Sequence, residues 1–102
     1  MGEPHWEAAT WDSLGLIHHG LGDHQQAIAC YQRSVDLWRE LADRFNEADT
    51  LDSLGDVQHS AGDDEAANRT WARALRIFDE IGHPDGDRIR AKLGPAASAP
   101  EE

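Results

Sequence analysis

The feature that most constrains this chain is an internal repeat, because two of its segments are nearly the same and lie forty positions apart. The first segment, residues 11–23, reads W-D-S-L-G-L-I-H-H-G-L-G-D, and the second, residues 51–63, reads L-D-S-L-G-D-V-Q-H-S-A-G-D. Superposing residues 8–47 on residues 48–87 gives twelve identities. Such a period predicts a repeat protein in which similar units stack on one another.

Each unit is expected to be a pair of helices. Apolar residues recur three and four positions apart in both halves of a unit, as one face of a helix requires. Gly22 is expected to end the first helix, because glycine adopts the left-handed conformation that closes a helix. Asp23 can then cap the second helix, with Gln26 as its capping partner. Gly62 and Asp63 repeat the same turn.

The predicted fold is all-α and consists of antiparallel helix-turn-helix repeats, with two 40-residue units and a short capping helix. We expect one domain over residues 1–94, with units at 8–47 and 48–87. The turn H-P-D-G predicts the capping helix at about residues 85–93. Residues 95–102 contain too few apolar side chains to pack, which predicts a disordered tail.

Six positions recur in both units with residues of similar size. They are Trp11, Leu14, Gly15, Ala27, Tyr31 and Ser34 in the first unit, and Leu51, Leu54, Gly55, Ala67, Trp71 and Ala74 in the second. This pattern resembles the tetratricopeptide repeat, a family whose helical hairpins bind proteins or peptides. Glycine inside a helix costs about 1 kcal/mol relative to alanine. Gly15 and Gly55 therefore predict that a neighbouring helix backbone passes too close for a side chain, with Ala27 and Ala67 facing them.

A second likeness concerns the runs E-A-D-T-L-D-S-L-G-D and G-H-P-D-G-D-R-I-R-A-K-L. They are similar to the C-terminal repeat arrays of actinobacterial multidomain regulators of the antibiotic regulatory protein type. This likeness implies that the chain is the C-terminal part of a cytoplasmic regulator. Cys30 is the single cysteine and cannot form an internal disulfide, which favours a reducing compartment. No apolar run approaches the roughly 20 residues that span a membrane, and we find no signal-peptide pattern.

Charge is distributed unevenly along the sequence. The chain has 20 acidic and 9 basic residues and a formal net charge of -11, which disfavours nucleic acid, because phosphate neutralisation needs clustered Lys and Arg. No Lys or Arg precedes Arg33 or lies between Phe45 and Asn68. We therefore expect the first helix of each unit to lack positive side chains, and the last short helix to be basic.

In tetratricopeptide repeats the first helices line a concave surface. The resemblance implies that the following residues project there: Asp12, Leu16, His19, Asp49, Asp52, Asp56 and His59. This surface would be acidic and would favour a partner with Lys or Arg, although an acidic face can also serve only to solubilise a protein. The family's clamp for C-terminal carboxylates needs Lys, Arg and Asn. Asp12, Asp52 and Asp56 stand at those places, which argues against a receptor for such tails.

The sequence gives little support for an enzyme, a metal site or another cofactor. His18, His19 and His24 lie near Asp23, but adjacent histidines point about 100 degrees apart on a helix, whereas a helical metal site needs ligands three or four positions apart. G-L-G-D lacks the lysine of a phosphate-binding loop. Cys30 has no histidine at a catalytic spacing. A metal-dependent enzyme built on the histidines is the remote alternative.

Self-association is the main alternative to binding another protein. About three stacked units are usually needed before a helical repeat buries its apolar faces, and this chain has two units and a short helix. One end is therefore expected to present an apolar patch, with Trp6 either covering it or meeting a partner. The basic last helix would complement the acidic first helices of a second copy in a two-fold homodimer.

Overall fold

The computed structural model describes residues 4–94, and this part of the chain folds into five helices. They are α1 (Pro4–Gly20), α2 (His24–Glu40), α3 (Arg44–Ser60), α4 (Asp64–Glu80) and α5 (Gly86–Leu93). Each helix packs on the next one along the chain. The predicted all-α repeat architecture is confirmed, and the predicted tail lies outside the described residues. None of the helices within residues 4–94 is long and apolar enough to cross a membrane.

Both first helices begin earlier than the superposition of the two units suggested. α1 begins at Pro4, where the fixed φ of proline suits the first position of a helix. α3 begins at Arg44, directly after its cap Asp43. The expectation that the first helices lack positive side chains is therefore wrong for α3. The forty-residue period itself is confirmed, since equivalent helices start forty positions apart.

Three of the turns between helices are built alike. Their helix caps are Asp23, Asp43 and Asp63, and each side chain accepts a hydrogen bond from the backbone N–H three residues later. These bonds satisfy amides that have no partner within the helix. The residue before each cap has a positive φ, which is 78° at Gly22 and 87° at Gly62. The α2–α3 turn has Ala42 there instead, with φ 56°.

The glycines inside α1 and α3 lie under aromatic rings. A Cβ placed on Gly15 would come within 2.8 Å of the Tyr31 ring, and one placed on Gly55 would overlap the indole of Trp71. Both rings are buried, and Trp71 Nε1 donates a hydrogen bond to the backbone oxygen of Asp52 at 3.2 Å. The expectation that a helix backbone excludes the side chain is therefore corrected, because an aromatic ring occupies that space in each unit.

The main core lies between α2, α3 and α4 and includes Ile89 of α5, and a smaller cluster of Ala8, Leu37 and Trp38 joins α1 to α2. In α3, the apolar residues Leu51, Leu54 and Val57 are buried and belong to the main core. Of the residues forty positions earlier, Trp11 is half-buried, while Leu14 and Ile17 are exposed. The stripe predicted for the first helix is therefore buried only on the side that faces α2, since no described helix covers the other side.

Candidate functional site

The short helix α5 lies against acidic residues of α3. Arg88 donates hydrogen bonds from Nε and Nη2 to Oδ2 of Asp52, at 3.2 and 2.8 Å, and Lys92 donates from Nζ to Oδ1 of Asp52 at 2.7 Å. Lys92 also donates to Oδ1 of Asp56 at 2.9 Å, and Arg88 Nη2 lies 3.8 Å from Oδ1 of Asp49. Two cations four positions apart on α5 thus meet carboxylates three and four positions apart on α3.

This pairing removes Asp52 from the exposed surface. Asp52 is 5% exposed, and its hydrogen bond raises the pKa of the Arg88 guanidinium. Burial lowers the pKa of the Lys92 ammonium, but hydrogen bonds to Asp52 and Asp56 outweigh burial and the net shift is upward. One expectation is corrected, because Asp52 does not project from an open surface. Arg88 and Lys92, which were expected to complement a second copy, pair with aspartates of their own chain. The third basic residue of α5, Arg90, pairs with Asp79 of α4 at 2.7 Å.

Asp12 is at the position of α1 that is equivalent to Asp52 on α3. Unlike Asp52, it has no cationic side chain paired with it among the described residues. No salt bridge to Asp12 is present among residues 4–94. The pKa of Asp12 is raised to about 6, first by burial and then by the charge of Asp49. Burial also raises the pKa of Asp49, although Arg88 acts in the opposite direction. Two carboxyl groups with raised pKa values therefore lie near each other between α1 and α3.

Tyr31 of α2 lies near enough to these carboxyl groups for their charges to act on it. Its pKa is raised to about 12, first by burial and next by the charge of Asp12, although a hydrogen bond with Ser53 acts against the shift. We call the surface formed by Asp12, Asp49 and Ser53, beside the buried Tyr31, the open acidic patch. Its carboxylates are placed to accept hydrogen bonds from an incoming cation.

The remaining predicted residues fall on either side of this patch. Leu16 is exposed and lies one turn after Asp12 on α1. His19 Nε2 lies 3.3 Å from Ser60 Oγ, which connects the ends of α1 and α3. His59 belongs to a different pocket of about 500 Å³. That pocket is lined by Asp56, His59, Asp64, Asn68, Trp71, Lys92 and Leu93. The structure thus divides the predicted surface into two parts. α5 lies against the part with Asp52 and Asp56, and the part with Asp12 lies apart from α5.

The histidines do not converge on a common point. His18 Nδ1 lies 3.8 Å from Oδ2 of Asp23, and His59 Nδ1 lies 2.7 Å from Oδ1 of Asp64. Within the described part of the chain, no group of three or more His, Cys, Asp or Glu side chains is arranged to hold a metal ion. Cys30 is buried, and burial raises the pKa of its thiol, which disfavours the reactive thiolate.

Sequence reasoning missed the two groups of residues that shape this face. Tyr31 and Ser53 were not predicted to lie beside Asp12, because their proximity depends on how α2 and α3 pack. Arg88 and Lys92 were predicted to be basic but not to fill the acidic row of their own chain. A signal for the second contact is present in the sequence, since the spacing of Arg88 and Lys92 matches that of the carboxylates on α3.

One comparison with known proteins agrees with this arrangement of helices. A family model described as tetratricopeptide repeat matches residues 6–80. Neither curated proteins nor solved structures gave a significant match to the chain. The matched segment spans both helix pairs and both glycine–aromatic contacts. Because the match covers well over half of the 102 residues, the chain belongs to the tetratricopeptide repeat family.

Proposed function

We propose that the chain is a non-catalytic binding module whose open acidic patch takes a Lys or Arg side chain from a partner protein. Tetratricopeptide repeats generally mediate protein–protein contacts and are typically non-catalytic. The observation that carries the proposal is the difference between two equivalent aspartates. Asp52 receives hydrogen bonds from Arg88 and Lys92 of a neighbouring helix, whereas Asp12 has no cation among the described residues.

A bound cation would relieve an electrostatic cost at the open acidic patch. Burial and the proximity of a like charge both disfavour the ionised form of Asp12. An ammonium or guanidinium group near Asp12 and Asp49 would favour the ionised form and would form charge-assisted hydrogen bonds. Leu16 stands one turn away and is exposed, so it can contact the aliphatic part of a Lys or Arg side chain. The ligand class that fits is therefore a basic segment with an apolar residue beside the cation.

The test uses a fluorescein-labelled helical peptide with Arg and Lys four positions apart, and a second peptide with Gln at both places. We expect the basic peptide to bind, with affinity that falls as salt rises, and the Gln peptide to bind much more weakly. Asp12→Asn should weaken binding of the basic peptide on the order of tenfold, which corresponds to about 1.4 kcal/mol.

Asp36→Asn is the matched control, because it removes the same charge from an exposed position on α2. It should leave the affinity of the basic peptide unchanged. The proposal is wrong if Asp12→Asn binds the basic peptide with the same affinity and the same salt dependence as the parent protein.

We also propose a setting for the module, as part of a cytoplasmic regulator. The support is the similarity of E-A-D-T-L-D-S-L-G-D to regulator repeat arrays, together with an unpaired buried cysteine, Cys30. The coding sequence around this chain tests the setting. A DNA-binding or NTPase domain in the same reading frame is expected, and a reading frame without either would contradict it.

A further inference from the structure

The exposed apolar side chains of this protein are concentrated on one helix. Within the described residues, most of the large exposed ones lie on α1 or directly after it. We define the N-terminal face as Trp6, Thr10, Leu14, Ile17 and Leu21, which recur three and four positions apart. This spacing places them in a continuous row along one side of α1. Leu16 does not belong to the row, because it lies about 100 degrees from Ile17 around the helix.

The second repeat shows that a row at these positions normally lies under another helix. The α3 residues equivalent to Thr10, Leu14 and Ile17 are Thr50, Leu54 and Val57, and all three are buried. Val57 is 0% exposed, whereas Ile17 at the equivalent position of α1 is 55% exposed. α2 covers the row on α3, and no described helix covers the row on α1. Among the described residues, the N-terminal face is therefore a helix-packing surface that no helix covers.

The two ends of the row distinguish the N-terminal face from the row on α3. Trp6 and Leu21 extend the face by one turn at each end, and both are exposed. The equivalent residues of α3 are Asn46 and Ala61, which offer little apolar surface. A helix that crossed α1 as α2 crosses α3 would leave Trp6 and Leu21 outside the contact. A helix that ran lengthwise along α1 would bury the whole row, and near-parallel packing of this kind is common between helices with such spacing.

If the lengthwise helix belongs to a second copy, α1 is the helix best placed to supply it. α2 is already covered by α3, and α4 is covered by α5, whose Ile89 is fully buried in the core. Head-to-tail stacking of α1 on α4 would therefore require α5 to leave its place. The α1 helix of a second copy is open and presents the same apolar row. If the two-fold axis is perpendicular to α1, the two α1 helices run antiparallel, and Trp6 of each copy meets Leu21 of the other.

The row of the N-terminal face carries no charge of its own. Its five residues are all uncharged, although the chain has a formal net charge of -11. Glu7, which follows Trp6, has Oε2 at 3.6 Å from Arg33 Nη2 of its own chain. The row therefore brings apolar side chains of one copy against apolar side chains of the other, while the repulsion between two negative molecules opposes the contact.

We propose that the N-terminal face binds the N-terminal face of a second copy, which gives a two-fold dimer with antiparallel α1 helices. This contact uses a different side of α1 from the open acidic patch, so it is independent of peptide binding. The dimer leaves the patch of each copy accessible. Salt should strengthen the dimer, because it screens the repulsion between the two copies.

The first test is the mass in solution, measured by light scattering behind gel filtration over about two decades of protein concentration. We expect the mass to rise from 11.3 kDa towards twice that value and no further. Ile17→Glu and Leu21→Gln should each keep the protein at the monomer mass. Leu16→Glu is the matched control, since it introduces a charge at an exposed position of the same helix outside the row, and it should dimerise like the parent.

Three outcomes would overturn the proposal. They are a parent protein that stays at the monomer mass at the highest concentration, a mass that grows beyond a dimer, and an Ile17→Glu protein that dimerises like the parent. Circular dichroism of each variant separates loss of dimer from loss of fold.

The second test is cross-linking, and it probes the geometry of the contact. Leu14 lies near the middle of the row, so two copies of it approach the two-fold axis. In a Cys30→Ala background, Leu14→Cys should form a disulfide-linked dimer under mild oxidation, because paired cysteines need close Cα atoms. Leu16→Cys, on another side of α1, should not form one at a comparable rate. Equal cross-linking of the two variants would contradict the antiparallel arrangement.

Discussion

At Gly55 a single hydrogen atom, in place of a side chain, allows α3 to lie under the Trp71 indole. A methyl group there would overlap the ring, which is buried and held by its hydrogen bond to the Asp52 backbone. We expect Gly55→Ala to lower the free energy of unfolding by about 1 to 3 kcal/mol through overpacking, even though alanine has the higher helix propensity.

Gly20→Ala is the matched control for this prediction, because nothing lies within 4 Å of a Cβ at Gly20. It should leave the free energy of unfolding unchanged or raise it by up to about 1 kcal/mol. Urea unfolding followed by circular dichroism measures both variants. If Gly55→Ala unfolds at the same urea concentration as the parent, the Trp71 ring does not lie where the structure places it.

Ala42 is a second residue whose backbone conformation makes a prediction. It adopts φ 56° at the turn position where the neighbouring turns have glycine, and a left-handed conformation costs an alanine about 1 to 2 kcal/mol. Glycine avoids this cost but loses more conformational freedom on folding. The first effect is the larger, so Ala42→Gly should raise the free energy of unfolding by about 0.5 to 1 kcal/mol. Gly62→Ala, the reciprocal change at φ 87°, should lower it by a similar amount. A stability loss in Ala42→Gly would contradict this account of the turn.

The raised pKa of Asp12 predicts how stability depends on pH. A carboxyl group whose pKa is higher in the folded state than in the unfolded state stabilises the fold only while it is protonated. The contribution of Asp12 is therefore present below its ordinary pKa of 3.8 and is lost as the pH rises through about 6. Asp12→Asn should match the parent near pH 4 and exceed it above pH 6, by on the order of 1 kcal/mol because the carboxylate is partly solvated.

Thermal unfolding between these pH values measures the difference between Asp12→Asn and the parent. Gly20→Ala, which removes no charge, serves as the control over the same pH range. A difference between Asp12→Asn and the parent that does not change with pH would mean that Asp12 has an ordinary pKa in the folded protein.

The positions of these special residues could be read from the sequence, but their neighbours could not. Gly55 stands out because the equivalent position of the first unit, Gly15, is also a glycine. That an aromatic ring fills the space depends on the side-chain orientation of Trp71 across a helix pair. In the same way, the Asp12 carboxyl was predicted to lie on an acidic face, whereas its raised pKa follows from burial between α1 and α3.

At the scale of elements, the attachment of α5 depends on both apolar and charged contacts. Arg88 and Lys92 neutralise Asp52 in a buried position, and removing both cations would leave an uncompensated buried carboxylate. We expect Arg88→Met combined with Lys92→Met to lower the free energy of unfolding by about 1 to 3 kcal/mol. Adding Asp52→Asn should recover part of that loss.

A double-mutant cycle measures this coupling, with Asp52 as one member and the pair Arg88 and Lys92 as the other. Arg69 offers a control cation, because it is exposed and pairs only with Glu65 of the preceding turn among the described residues. Arg69→Met should change stability by no more than about 0.5 kcal/mol. Additive effects of the Asp52 and α5 substitutions would show that the ion pairs do not hold α5 in place.

The helices were predictable because their signals are local. Apolar spacing, the glycine at the end of the first helix and the aspartate cap lie within a few residues of the boundaries that they define. The beginning of α1 at Pro4 was missed because the repeat alignment starts at Ala8. The place of α5 against α3 was missed because it joins residues 36 to 40 positions apart, and such a contact depends on how the two units stack.

At the scale of the whole molecule, the two proposed surfaces should respond to salt in opposite directions. A basic peptide at the open acidic patch is attracted by the negative protein, so its affinity should fall as salt rises. The dimer brings together two molecules with a formal charge of -11 each, so its dissociation constant should fall over the same range. Titrating both equilibria in the same buffers checks this. A common direction would contradict the salt dependence proposed for one of the two surfaces.

The order of packing also has a consequence for local unfolding. Each helix contacts chiefly its neighbours in sequence, and in such arrays each element opens according to the contacts that it makes with those neighbours. α1 packs on α2 from one side only, whereas α3 is held by both α2 and α4. Backbone amides of α1 should therefore exchange with deuterium faster than those of α3, and any molecule that covers the N-terminal face should slow exchange along α1 first.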